Sequence, residues 1–191
     1  MKKKVRRWQE KHSDMTKAKE LIRRTDRVSG FDLDTPGCIS FSGGRTSGYM
    51  LHQVLDFYDG KLPEDVHIVF SNTGKEMNAT LDFVRDCEIN WNVKIDWVEW
   101  DETNKFREVN HNSASRNGEP YDKLINKRKF LPNPVTRYCT SELKIKVMKD
   151  FMLSRGHKYW VNYVGLRYDE PHRVARLRRA KEKERWDSEA P

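Results

Sequence analysis

The sequence has few cysteines and no long apolar segment, and both absences narrow what the chain can be. Cys38, Cys87 and Cys139 are widely spaced and form no CxxC pair, so the pattern does not favour a zinc or iron–sulfur site. Such a sparse, odd set is typical of the reducing cytoplasm, where we expect the protein to act. No apolar run reaches membrane-spanning length, and the basic N-terminus lacks the apolar core of a secretory signal.

Two common phosphate-binding signatures, GxxxxGK[ST] and GxGxxG, are also missing. In their place stands CISFSGGRTSGYM at residues 38–50, whose pattern predicts a strand, a tight loop and a helix. The loop combines glycines, hydroxyl side chains and one arginine: Ser42, Gly43, Gly44, Arg45, Thr46 and Ser47.

This loop has the chemistry of an oxyanion site. Glycines let the backbone turn sharply and approach a ligand, and an arginine offers a fixed positive fork. The following helix directs its free N–H groups and its positive dipole end at the loop. We therefore predict phosphate binding. A side chain at position 44 would occupy the space of the phosphate, and we expect the backbone of Gly44 to adopt a conformation that only glycine tolerates. The plainer alternative is a surface turn with a hydroxyl N-cap.

The charge of the 191-residue chain, +8 in total, is unevenly distributed. Residues 1–29 carry 11 basic and 4 acidic side chains, residues 30–120 carry 8 and 16, and residues 121–149 carry 8 and 2. We predict a basic helical arm at 1–35, a central domain at 36–171 and a charged tail at 172–191. The arm and the tail could contact a polyanion such as nucleic acid, or could simply be solvated helical faces.

Apolar periodicity in the central domain predicts an α/β fold. Strands are expected at 37–42, 66–71, 94–99 and 160–165, and helices at 46–58, 78–91 and 141–153. This alternation predicts a parallel sheet with helices on both faces. Residues 101–136 contain three prolines and are expected to be a long, partly helical, mobile insertion.

Polar motifs follow three of the predicted strands, at 42–47, 71–76 and 165–173. Ligands of parallel sheets lie beyond the carboxyl ends of the strands, so these three loops are expected to converge on one nucleotide.

Four segments occur in the order SFSGGRTS, FSNTGKE, RYCTSELKIK and VGLRYDEPHR. In this order the chain resembles the PP-loop superfamily, which includes the phosphoadenosine phosphosulfate reductases and the N-type ATP pyrophosphatases. The likeness covers residues 36–178 and is greatest to the reductase-like branch, which includes bacteriophage and bacterial members. It implies a Rossmann-like fold of the adenine nucleotide alpha hydrolase type, with a parallel five-stranded sheet and an adenine nucleotide as ligand.

The resemblance also implies roles for individual residues. The first loop, with Arg45 and Lys144 as catalytic cations, would hold the terminal phosphates. The second motif would lie beside adenosine, with backbone near Phe70 reading the adenine edge, and Glu76 would orient the loop or a metal. The residues so assigned to adenosine are Phe70, Ser71, Asn72, Thr73 and Gly74. Those assigned to the phosphate or sulfate end are Arg137, Gly165, Arg167 and Arg173, with Asp169 and Glu170 as candidate Mg²⁺ ligands.

Three departures from the family pattern restrict the reaction. Thr46 occupies the place where many ATP pyrophosphatases have an aspartate that helps to hold Mg²⁺. No cysteine follows Cys139, although the reductases use a nucleophilic cysteine in a C-terminal segment, so we expect a shortened member. Three cysteines cannot build a four-cysteine cluster, so no iron–sulfur cluster is expected.

Three functions fit these observations. The chain would cleave ATP between the α and β phosphates to adenylate an acceptor. Alternatively, Cys139 would act as the nucleophile of a phosphoadenosine phosphosulfate reductase, against a structural role for that thiol. In the third, the chain is a nucleotide- or nucleic-acid-binding module without turnover. No membrane partner is expected, and an oligomer is compatible with the sequence.

Overall fold

The computed structural model describes residues 31, 33–167, 169–173, 175 and 186–189. Nearly all of the predicted basic arm, and residues 176–185 of the predicted tail, lie outside these described residues. The nucleic-acid contacts assigned to the arm and tail therefore stay predictions.

Six strands form one sheet in the described part of the chain, in the order β4-β3-β2-β1-β5-β6. Their bounds are β1 Gly37–Ser40, β2 Val66–Asn72, β3 Ile95–Asp101, β4 Lys105–Val109, β5 Trp160–Val164 and β6 Trp186–Glu189. Five of them pair in parallel, including the four strands predicted from the sequence, and β4 runs antiparallel along β3.

The helices connect these strands as expected for an α/β fold. Their bounds are α1 Arg45–Phe57, α2 Asn78–Asn90, α3 Glu119–Arg128, α4 Tyr138–Thr140 and α5 Lys146–Ser154. A π-helical turn, Ser141–Ile145, joins α4 to α5, so that one continuous helical segment runs from 138 to 154.

Alternating strand residues face two separate apolar layers, because successive side chains of a strand point to opposite faces. Ile39 and Ile68 pack with helices α1 and α2 on one face. Cys38, Val69 and Val98 pack with the 138–154 segment on the other. The two-layer core confirms the α/β architecture with helices on both faces.

The segment 101–136 contains the strand β4, which the sequence analysis did not predict, in addition to helical structure, which it did. The carboxylate of Asp101 accepts the backbone N–H groups of Thr103 and Asn104, which closes a tight turn and sends β4 back along β3. An antiparallel edge strand, which the sequence did not predict, is therefore added to the predicted parallel sheet. The movement predicted for this segment stays a prediction.

The last strand, Trp186–Glu189, pairs with β5 inside the segment predicted as a charged tail. At these four residues the chain is part of the sheet. Within the described residues, no helix is both long and apolar enough to cross a membrane.

Candidate nucleotide site

The strand order changes direction between β1 and β5. The chain winds outward from β1 through β2 to β3, and then crosses back to place β5 on the other side of β1. In doubly wound sheets the ligand crevice lies at this switch point, outside the carboxyl ends of the strands. The loops that follow β1 and β5 meet there.

A cavity of about 230 Å³ lies at this switch point. Its lining combines the first predicted loop with the loop after β5: Ser42, Gly44, Arg45, Thr46, Ser47, Gly165, Arg167, Glu170 and Arg173. A second cavity of about the same volume lies at the other end of α1, lined by His52, Leu55, Asp56, Asp59, Gly60 and Trp91. The second cavity has no arginine or lysine, so only the first has the chemistry to bind an anion.

Ser47 holds the first loop in shape. Its buried hydroxyl oxygen accepts the Ser42 N–H at 3.2 Å and donates to the Gly44 carbonyl oxygen at 3.0 Å. The Ser42 hydroxyl lies 2.9 Å from the Ser47 hydroxyl oxygen. Ser42 is itself exposed, so its hydroxyl can reach a ligand while Ser47 shapes the turn.

Gly43, rather than Gly44, provides the backbone freedom. Gly43 has a φ of 68°, and a Cβ there would lie 2.7 Å from Thr80 Cγ2 and 2.9 Å from Val84 Cγ2. Gly44 has an extended backbone (φ −98°, ψ 161°), and the nearest atom to a Cβ there is the Ser42 hydroxyl at 3.4 Å. The expectation that Gly44 demands a glycine-only conformation was therefore wrong. A side chain at Gly44 would still project into the cavity that the loop lines.

The N-terminus of α1 opens into the cavity. Gly44 is its N-cap, and no side chain of the described residues caps this end. The first N–H to find a partner within the helix is that of Gly48, which donates to the Gly44 carbonyl at 2.9 Å. The preceding N–H groups are therefore free to bind an anion at the positive end of the helix dipole.

The loop after β5 presses against this helix start and carries two arginines. A Cβ on Gly165 would lie 3.0 Å from Ser47 Cα, so glycine permits this close approach. Arg167 and Arg173 line the cavity, but each is already paired within the loop. Arg167 donates to both carboxylate oxygens of Asp169, at 2.8 and 2.6 Å, and Arg173 donates to Glu170 at 2.8 Å.

These pairs bear on the predicted metal site. The Arg167 guanidinium holds the pKa of the exposed Asp169 carboxyl below its usual range, so this carboxylate is already balanced by a cation. Glu170 is likewise engaged by Arg173. Among the described residues, no three candidate ligands come close enough to hold a metal ion. The Mg²⁺-ligand roles predicted for Asp169 and Glu170 stay proposals, in which oxygens of a bound nucleotide would supply further ligands.

The second motif, after β2, is largely buried and internally bonded. Phe70 is buried in the middle of the sheet. The Ser71 hydroxyl donates to the Leu143 carbonyl at 2.7 Å, and the Thr73 hydroxyl donates to Glu76 at 3.1 Å. The Asn72 amide donates to Glu99 at 2.7 Å and to the Ser115 carbonyl at 2.9 Å. Side chains used in this way shape the turn, so any contact with adenosine falls to the backbone.

The structure brings Lys144 to this second motif rather than to the cavity lining. Its ammonium group lies 3.2 Å from the Glu76 carboxylate, and it projects from the π-helical turn. Such turns are frequent at functional sites. Arg137 caps α4 and is exposed. The roles predicted for both residues in contacting the substrate stay proposals.

The three thiols differ in their surroundings, and none of them lines the cavity. Burial raises the pKa of Cys38 to about 12 and that of Cys87 to about 11, so both stay protonated at neutral pH. Cys139 is only half-buried, beside the second apolar layer. All three are free.

One buried group was missed by sequence reasoning. Glu99 on β3 is fully buried and accepts hydrogen bonds from Asn72, Arg107 and Ser115. The only sequence signal was an acidic residue inside an apolar strand, IDWVEWD, which period-2 reading assigns to a solvent face.

Comparisons with known proteins identify the family of the chain. The chain matches the family described as phosphoadenosine phosphosulfate reductase domain over residues 37–189. It is 30% identical, over 152 residues, to the uncharacterized nin region protein ORF290 of Escherichia phage lambda, covering 71% of this chain. The chain spans about half (49%) of the length of that relative. No solved structure matches the chain. The chain therefore belongs to the phosphoadenosine phosphosulfate reductase domain family, a nucleotide-binding family within the PP-loop superfamily.

Proposed function

We propose that the chain binds an adenine nucleotide, with the phosphates in the cavity between β1 and β5, and cleaves ATP to adenylate an acceptor. One observation carries this proposal. The uncapped N-terminus of α1, the hydroxyl of Ser42 and the arginines Arg45, Arg167 and Arg173 meet in one cavity at the switch point of the sheet. Backbone N–H groups and guanidinium groups together are the usual binding partners of phosphate oxygens.

In this reaction a nucleophilic oxygen or nitrogen of the acceptor attacks the α-phosphorus of ATP. The bond from that phosphorus to the oxygen bridging to the β-phosphate breaks, and pyrophosphate leaves with the electron pair. The acceptor's proton passes to solvent. The residues of the cavity would hold the departing pyrophosphate and stabilise its charge, which is electrostatic catalysis by pre-positioned donors.

The positions of the thiols favour this reaction over reductase chemistry. Attack on the sulfur of phosphoadenosine phosphosulfate needs a thiolate at the nucleotide. Cys38 and Cys87 are buried with raised pKa values, and Cys139 belongs to the apolar layer under α3 and the π-helical turn rather than to the cavity. Unpaired thiols also support the expected cytoplasmic location.

Nucleotide titration tests the binding proposal. ATP, GTP and phosphoadenosine phosphosulfate would be titrated into the protein by calorimetry, alongside Gly44→Val. We expect adenine nucleotides to bind better than GTP, and Gly44→Val to abolish binding while circular dichroism shows an intact fold. Equal binding of ATP by the parent and by a folded Gly44→Val would reduce the loop to a surface turn.

Product analysis separates the two reactions. Release of pyrophosphate from ATP supports adenylation, whereas release of sulfite that disappears in Cys139→Ser supports reductase chemistry. Because Cys139 has the least buried thiol, we expect a thiol reagent at pH 8 to modify it before Cys38 and Cys87. Modification of Cys139 without loss of ATP cleavage would exclude it from the mechanism.

A binding module without turnover is the remaining alternative, favoured by the paired state of the carboxylates in the loop after β5. It predicts nucleotide binding with neither pyrophosphate nor sulfite released. Steeply salt-dependent binding of DNA or RNA would add the nucleic-acid role proposed for the basic arm and tail.

A further inference from the structure

We propose that Glu99 is a positioning residue for the adenosine end of the site, acting through Asn72 on the turn that follows β2. This inference rests on the proposed function, because it assigns the turn at 72–75 to the adenosine half of the nucleotide.

Glu99 lies on β3 with a side chain that is 0% exposed, and both of its carboxylate oxygens are fully used. Oε1 accepts the Asn72 amide and the Ser115 N–H, each at 2.7 Å. Oε2 accepts the Ser115 hydroxyl at 2.8 Å and two nitrogens of Arg107, Nε at 3.0 Å and Nη2 at 2.6 Å. Five donors converge on one buried carboxylate.

A buried carboxylate such as that of Glu99 adds little to the free energy of unfolding. Removing the Glu99 charge from water costs much of what its attraction to the half-exposed Arg107 returns, and well-packed apolar residues often serve equally well. The network instead fixes the orientation of the Asn72 side chain, because both of its polar atoms have defined partners.

Asn72 in turn holds the backbone of the turn that follows β2. Its amide nitrogen is held by Glu99 and by the Ser115 carbonyl, which fixes its oxygen toward the Gly74 N–H at 3.0 Å. Gly74 has a φ of 77°, and a Cβ there would lie 2.8 Å from Pro120 and 3.1 Å from Gly118. The turn is thus clamped between β3 and the start of α3.

The same turn is also joined to the segment from 115 to 120. The ammonium group of Lys75 donates to the Asn117 carbonyl at 3.1 Å, so the turn and the segment from 115 to 120 are joined at several points. This paired unit stands at the carboxyl end of β2, beside the phosphate loop, since the Phe41 N–H bonds the Val69 carbonyl at 3.0 Å. Adenosine extending from the phosphate cavity toward β2 would meet the backbone of this turn.

Glu99 itself is buried and contacts no ligand, so its loss should disturb the adenosine end and spare the phosphate end. Glu99→Gln keeps the size of the side chain but replaces one acceptor oxygen by an NH2 donor. We expect the remaining oxygen to stay with the charged Arg107, so that the NH2 group faces the Asn72 amide. Asn72 would then turn its own oxygen toward this donor, and the Gly74 N–H would lose its acceptor.

The experiment compares ATP with inorganic tripolyphosphate, which has the phosphates without adenosine. Both would be titrated by calorimetry into the parent, Glu99→Gln and the matched control Glu108→Gln, whose carboxylate is exposed on β4 and pairs with Arg155. We expect Glu99→Gln to bind ATP about tenfold more weakly or worse, as for a lost hydrogen bond to a charged group. Its affinity for tripolyphosphate should equal that of the parent, and the control should change neither.

Affinities for both ligands that stay unchanged in Glu99→Gln, or that fall together, would overturn the positioning role. If Glu99→Gln does not fold, Ser115→Ala removes one donor to Glu99 and keeps the backbone bonds. It should weaken ATP binding several-fold with tripolyphosphate unchanged, and equal effects on both ligands would overturn the proposal. A parent that binds neither ligand would instead refute the proposed function itself.

Discussion

The carboxyl ends of β1 and β2 lie side by side, yet they are built on different principles. At the end of β1 the loop holds itself with Ser47 and leaves the N–H groups of α1 open. At the end of β2 the side chains of Ser71, Asn72 and Thr73 are all bonded to other parts of the protein. The first end leaves hydrogen-bond donors available to a ligand, whereas at the second end the polar side chains are used in hydrogen bonds that fix the conformation of the turn.

This difference predicts what substitutions do at each end. Changes in the loop after β1 should alter binding more than stability, except where a residue also packs against α2. Changes in the turn after β2 should alter stability first, because they leave buried polar groups without partners.

The largest effect is expected for Asn72→Ala. It deprives the Ser115 carbonyl and the Gly74 N–H of their partners in a buried site, and each unsatisfied group costs about 1–3 kcal/mol. We expect the free energy of unfolding to fall by about 3–5 kcal/mol in urea denaturation. The control is Asn90→Ala at the exposed end of α2, which should be nearly neutral. Equal losses of unfolding free energy in the two variants would contradict the structural role assigned to the turn after β2.

The second largest effect is expected for Gly43→Ala, because Gly43 is the residue of the first loop that packs against α2. Its positive φ costs an L-residue about 1–2 kcal/mol, and the new methyl group would overlap Thr80 and Val84. We expect a loss of about 2–4 kcal/mol in the free energy of unfolding. Gly60→Ala has a similar φ of 75° but open space around its Cβ, so it should lose only the backbone part. If both variants lose the same free energy of unfolding, the contact of position 43 with Thr80 and Val84 of α2 does not contribute to the loss.

Arg45→Ala is expected to change binding without changing stability. Arg45 is exposed at the start of α1, and its loss removes one charge-assisted contact while the N–H groups of the helix remain. The expected penalty is about 1.5–3 kcal/mol, or roughly ten- to over a hundredfold in the ATP dissociation constant. The control is Arg85→Ala, which removes a half-exposed arginine on α2 outside the cavity. An unchanged affinity in Arg45→Ala would place the phosphates elsewhere.

The smallest effect is expected for Glu170→Gln. Glu170 lines the cavity and pairs with Arg173, so it competes with an incoming phosphate for that arginine. Half-exposed ion pairs are weak, and we expect ATP to bind only about two- to fivefold more tightly once the carboxylate is neutral. Weaker binding that depends on Mg²⁺ would instead support the metal-ligand role predicted from the sequence.

Much of the fold follows from local pattern. The apolar alternation of β1, β2, β3 and β5 placed those strands within one or two residues, because a strand between two helical layers needs apolar side chains on both faces. β4 was not anticipated. Its sequence, KFREV, is short and charged, and it forms because the Asp101 turn returns the chain to an unpaired sheet edge.

The site was predictable to a different extent at its two ends. For the loop after β1, a contiguous stretch of glycine, hydroxyl and arginine residues sufficed to identify the residues that line the cavity. It did not distinguish Gly43 from Gly44, because that distinction depends on Thr80 and Val84 of α2. For the turn after β2, the motif located the segment but not the inward direction of its side chains.

By itself, the sequence determined the class of fold, the order of the four motifs and the glycine, hydroxyl and arginine composition of the first loop. Each of these depends on residues within about one element of each other, where composition and periodicity act directly. Tertiary structure alone decided that Glu99 meets Asn72 and Ser115, that Glu170 and Arg173 share the cavity, and that Lys144 faces Glu76. Asn72 and Ser115 are 43 residues apart, and Glu76 and Lys144 are 68 apart. No local pattern encodes such pairs, because they exist only once the sheet has brought the ends of its strands together.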